Sequence, residues 1–134
     1  MINGWLKALR DEIEVAEGQE FEWGRQDCCL FAARCVDAMT GSSLAGQLQS
    51  EYTDKTSALR YLAKQGGIAP AVTQLLGQPI RWVNTHRGDV CLMPTADGIG
   101  SLGICIGGAV ACVSEIRGIV YLPIGSALYC WSIR

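Results

Sequence analysis

The sequence predicts an α+β fold, with N-terminal helices packed on a C-terminal antiparallel five-stranded sheet or small barrel. Three observations predict it. Apolar residues recur at helical spacing through residues 1–78. Residues 79–134 instead hold short β-branched runs separated by glycines and a proline. Charge follows nearly the same division, with 19 charged side chains in residues 1–87 and five (Asp89, Asp97, Glu115, Arg117 and Arg134) in residues 88–134. A charge-poor second part is either deeply buried or covered by a partner.

In order, Trp5, Leu6, Leu9, Ile13 and Ala16 share the face of an amphipathic helix that ends near Gly18. The segment FEWGRQ follows as a turn or loop. Asp27 then offers an N-cap, and residues 28–39 read as a helix stopped at Gly41. Its charged residues are few, so it is expected to be central and buried, with Cys28, Phe31, Ala32, Cys35 and Met39 on one face. Thr53 or Asp54 caps a third helix that runs to Gly66-Gly67. Residues 68–76 form a fourth, ended by Gly77. Candidate strands span 89–94, 102–106, 109–115, 118–122 and 128–133, read as a meander. Gly107-Gly108 and Arg117-Gly118 mark tight turns, and Pro123 stops the fourth strand.

The chain's 134 residues fit a single domain spanning 1–134. With 49% hydrophobic and 18% charged residues, it is neither disordered nor a coiled coil. A net charge of -2 and a pI near 5.3 give no electrostatic reason to expect a nucleic-acid partner. The longest uncharged stretch, residues 98–114, is Gly-rich and short of the roughly 20 residues a membrane span needs. The N-terminus lacks a signal-peptide pattern, so synthesis in a cytoplasm is expected.

Seven cysteines (28, 29, 35, 91, 105, 112 and 130) contain no Cys-x-x-Cys pair, and the sequence has one histidine, His86. No metal site and no cofactor are expected from that set. At least five of the seven read as small apolar core residues in a reducing compartment. Trp5, Trp82 and Trp131 read as core residues, and Trp23 as a packing residue or a groove wall.

Asp27-Cys28 is the sharp feature. A cysteine at a helix start feels partial positive charge and free N–H groups, which lower its pKa and make it a better nucleophile. The preceding Phe21-Glu22-Trp23-Gly24 segment can set an aromatic wall and open backbone beside it. Cys28 and Cys29 are equally consistent with ordinary burial in a central helix.

The run FEWGRQDCCLFAARCVDAMTG, followed by RGDVCLM and SLGICIGG, resembles the NlpC-type (papain-like) peptidoglycan cysteine peptidases. It is more similar still to a phage-associated branch of unknown function that reads Trp-Gly-x-x-Asp-Cys, then Leu-Phe-Ala-Ala, and is encoded among tail genes. The resemblance covers roughly residues 19–133. It places Cys28 on the nucleophile, Gly88-Asp89-Val90 on the turn into the first strand and Gly103-Ile104 on the second strand. Ser101 falls where the family's catalytic histidine opens that strand. The third polar position falls near Ala111 or Cys112. Serine does not act as a neutral-pH base. His86 precedes the first strand, and a five-residue strand spans ~17 Å, so it is expected far from Cys28.

The resemblance thus implies a phage tail-tip or hub component built on a degenerate peptidase fold, with Trp23, Gly24 and Asp27 lining a relic groove. It implies manufacture in the bacterial host cytoplasm, assembly into the virion tail, and tail proteins or peptidoglycan peptide as partners. An active hydrolase of peptidoglycan stem peptides, or a non-cleaving cell-wall peptide-binding module, are the alternatives.

Overall fold

Helix α2 (Cys28–Thr40) is the element around which the others arrange, and its sequence explains why. Nine of its residues are buried, from Cys28 to Met39, so it presents apolar side chains nearly all round. Helix α1 (Trp5–Glu17) packs on one side of it, and α3 (Leu44–Gln49) on another. Helices α4 (Lys55–Gln65) and α5 (Ile68–Leu76) pack against each other. The structure, a computed structural model, describes residues 1–116 and 118–133. The Arg117 half of the expected Arg117-Gly118 turn lies outside the described residues.

The capping signals act as the sequence suggests. Asp27 caps α2 by accepting from Leu30 N at 2.9 Å, and Gly41 closes the helix at φ 78°. Asp54, not Thr53, caps α4 through a box with Ser57. Helix α3 is an addition to the expected four. Asp37 supports its start, accepting from the Leu44 and Ala45 backbone N–H groups at 2.8 and 3.0 Å, a long-range cap that local spacing does not announce.

The sheet has five antiparallel strands, β1 (Val90–Met93), β2 (Ser101–Cys105), β3 (Ala109–Val113), β4 (Ile119–Pro123) and β5 (Tyr129–Trp131). The order is β4-β3-β2-β1-β5. The expected meander therefore holds for β1 to β4 and fails for β5, which returns to pair with β1. A short helical turn over Ile124–Ser126 turns the chain back, and Trp131 is carried to a fully buried place opposite Val90.

Both sheet faces are apolar, which is why β1 reads as the unbroken run Val-Cys-Leu-Met. Leu92, Leu102, Ile104, Ala111, Val113 and Trp131 face the helices and meet Phe31, Cys35 and Met39. On the opposite face Cys91, Met93, Cys105, Val110, Cys112 and Cys130 pack under Val120 and Leu122. In the charge-poor second part β1, most of β2 and β3, and Cys130 and Trp131 are buried, whereas residues 94–98, β4 and residues 124–129 are partly or fully exposed. The 3-10 turn at Trp82–Asn84, which precedes it, is exposed as well. Trp82, expected in the core, is 46% exposed on that turn. It lies at the surface, where it lines a pocket with Ile80, Ala127, Leu128 and Tyr129.

Candidate active site

The site begins at the start of α2. Asp27 is fully buried, and its carboxylate gathers the local structure. Leu30 N donates to Oδ1 at 2.9 Å, Gly24 N to Oδ2 at 3.0 Å, and the Tyr52 hydroxyl to both oxygens at 2.9 Å. A buried carboxylate with several donors is stable where a bare one is not. Burial, followed by the nearby Cys29 and Asp27, pushes the Tyr52 phenol far above its usual range, so it stays a donor.

Gly24 sits at φ 86°, and a Cβ there would lie 2.5 Å from the Thr53 carbonyl oxygen. Its backbone closes against Thr53 and against Asp27, where the sequence suggested open backbone beside the thiol. Trp23 makes an edge-on contact with Phe21, ring centroids 5.3 Å apart, and packs at the margin of the Leu30–Tyr52–Ala58 cluster. Asp27 is likewise committed to internal partners and presents no surface to a ligand.

Cys28 is the first residue of α2, 8% exposed, with its sulfur 3.9 Å from that of Cys29. The two thiols differ sharply. Donation by Cys29 lowers the Cys28 pKa against the effect of burial, and the Leu102 backbone and the Ser101 hydroxyl help. Cys29 is pushed well above the ordinary thiol range by its hydrogen bond to Cys28 and by burial. Within the pair, Cys28 ionises more readily and Cys29 keeps its proton to higher pH.

Ser101 opens β2 opposite Met93. Its hydroxyl is near enough to both Cys28 and Cys112 to favour their ionised forms. Yet Oγ is buried without a partner in hydrogen-bond geometry. Cys112 is brought there by Gly103. A Cβ on Gly103 would fall 2.5 Å from the Cys112 sulfur and 2.5 Å from the Ala111 carbonyl oxygen, so the sulfur takes the place of a side chain. Burial, with the Cys28 charge, pushes the Cys112 thiol up to about 12. Ala111 faces the helices instead, so of the two residues it is Cys112 whose sulfur lies near Ser101.

The fold therefore assembles the row Cys28, Ser101, Cys112 from α2, β2 and β3. His86 is not part of it. It lies before β1, its backbone N–H donating to Asp89 Oδ2 at 2.8 Å, whereas Ser101 pairs with the last residue of β1. Val90 to Met93 alone spans ~10 Å at about 3.3 Å per residue. Chemically, the row can stabilise a thiolate but has no group that takes up its proton near neutral pH. Among the described residues no three His, Cys, Asp or Glu side chains cluster closely enough to hold a metal ion, and no helix is long and apolar enough to cross a membrane.

Sequence reasoning missed Tyr52, which no motif marks, and the steric demand at Gly103. A single glycine inside the β-branched run SLGIC was the available signal for the latter.

This arrangement of helices on a five-stranded antiparallel sheet is an NlpC/p60-type fold. The structure is similar to the crystal structure of the NlpC/p60 domain of the peptidoglycan hydrolase SagA, with a TM-score of 0.62 and 16% identity over 98% of this chain and 99% of that one. At that identity the likeness shows the fold. The chain itself belongs to the family described as Domain of unknown function (DUF6950), whose model matches residues 1–133. No curated protein matches it.

Proposed function

We propose that residues 1–134 act as one NlpC-like domain that has given up hydrolysis and serves as a phage tail-tip or hub component at the peptidoglycan surface. The observation that carries the loss of hydrolysis is the Cys28–Ser101–Cys112 row, in which serine stands where a base is needed. Cys28 occupies the nucleophile position, Ser101 that of the lost histidine and Cys112 the third polar position. Trp23 and Gly24 pack beside the start of α2, and Asp27 caps it. The phage assignment rests on the Trp23-Gly24 to Asp27-Cys28 spacing. It implies synthesis in the host cytoplasm, assembly into the tail, and neighbouring tail proteins as partners.

Two measurements test this reading. Purified protein incubated with peptidoglycan stem peptides is expected to release no cleavage product, and the chain is expected in purified tails. Cleavage that Cys28→Ala abolishes overturns the loss of hydrolysis, and absence from assembled particles overturns the tail role. The lowered pKa of Cys28 favours a second reading, an active cysteine hydrolase with water as proton acceptor, which the cleavage assay decides.

A further inference from the structure

A cavity of about 170 Å³ opens between the helices and the sheet, on the Cys29 side of α2. Small residues make the space. Ala32 and Ala33 of α2 and Ala71 of α5 are among its lining, where larger side chains would take up the volume. Val90 and Leu102 close it at the sheet. The wall is apolar, and Cys29 contributes a thiol held protonated. The polar side chains Gln47 and Glu51 are exposed residues at the rim, and Glu51 is the one charged residue among those lining the cavity.

An apolar cavity of about 150 Å³ is large enough to take up benzene, because its walls lack partner atoms that the guest supplies. A rim carrying one carboxylate disfavours an anionic head and favours a cationic one. We propose that this cavity is a binding site for the apolar tail of a small molecule with a cationic head. It is independent of the tail assignment and of the hydrolytic state of Cys28.

The probes are benzene, n-hexylamine and hexanoate, titrated into the intact chain and followed by methyl NMR. Saturable shifts confined to the Ala32, Ala33 and Ala71 methyls are expected with benzene and hexylamine. Hexylamine should bind about fivefold more tightly than hexanoate at low salt, and Glu51→Gln should remove the difference. Ala71→Phe, on the shorter and partly exposed α5, should fill the space and abolish both sets of shifts. Absence of saturable shifts in the unaltered protein, shifts centred elsewhere, or hexylamine binding unchanged in folded Ala71→Phe each overturn the proposal. Equal affinity for hexylamine and hexanoate overturns the assignment of the head.

Discussion

Six of the seven cysteines fall in two settings that have little in common, while Cys35 is buried in the helix-side core. At the start of α2, the Cys28 sulfur faces donors, from Cys29, the Leu102 backbone and Ser101, and its pKa falls although it is buried. On the far face of the sheet, Cys91, Cys105, Cys112 and Cys130 sit among Met93 and Val110. There burial dominates and pushes the Cys91, Cys112 and Cys130 thiols up. Burial alone therefore does not decide what a cysteine does. The donors aimed at it do. Cys112 belongs to both settings, since its sulfur packs with the far face while Ser101 reaches toward it from the Cys28 row.

The comparison breaks first at Gly103, the hinge between the settings. Gly103→Ala puts a carbon 2.5 Å from both the Cys112 sulfur and the Ala111 backbone oxygen. Because backbone cannot step aside cheaply, the loss should be about 3 kcal/mol, at the upper end for overpacking. Urea unfolding measures it. A loss under ~1 kcal/mol would show that β2 and β3 are not held as closely as described.

An effect of similar size lies at Asp27, where removing one carboxylate strands several donors. Asp27→Ala should cost about 2–4 kcal/mol, through the lost cap and the buried Tyr52 hydroxyl left without an acceptor. Tyr52→Phe should cost about 1 kcal/mol, because Leu30 and Gly24 still satisfy the carboxylate. Equal losses for the two variants in chemical denaturation would contradict the hub role of Asp27.

Those residues also show what was legible in the sequence. Local chemistry was legible: an aspartate before an apolar helix is a cap, glycine after it is a stop, and unbroken β-branched runs are strands. The Cys28, Ser101 and Cys112 positions followed from the resemblance, and the fold does bring them together. What was hidden depends on distant partners. Pairing of β5 with β1 is decided by where Trp131 finds burial. Helix α3 depends on a cap supplied by Asp37, and Asp27 draws on Tyr52, 25 residues away in sequence. No periodicity encodes such pairs. Trp82 misled because hydrophobicity alone does not place a side chain in the core.

Reactivity sharpens the contrast between the two settings. Since the Cys28 pKa is lowered and that of Cys112 is raised to about 12, thiolate is present at Cys28 well below the pH at which Cys112 ionises. Raising pH from 6 to 9 should therefore increase alkylation at Cys28 first. In the native protein at pH 8, Cys28 should react with iodoacetamide at least about tenfold faster than Cys112. Peptide mapping by mass spectrometry reads both sites. Comparable rates at the two would show that the donors around Cys28 do not set its charge.

The smallest effect is expected where the site looks most suggestive. Ser101 Oγ is buried and has no partner in hydrogen-bond geometry, so Ser101→Ala removes a desolvated hydroxyl and no bond. The stability change should be within about 0.5 kcal/mol, with stabilisation the favoured sign. The Cys28 pKa should rise slightly, because the hydroxyl is the weakest of the influences that lower it, behind Cys29 and the Leu102 backbone. A thiolate absorbance titration of Cys28 against the alanine variant measures that rise. A loss of more than ~1 kcal/mol, or a Cys28 pKa that returns to the ordinary thiol range, would mean that serine closes a real hydrogen-bonded row. It would then be an active part of the site.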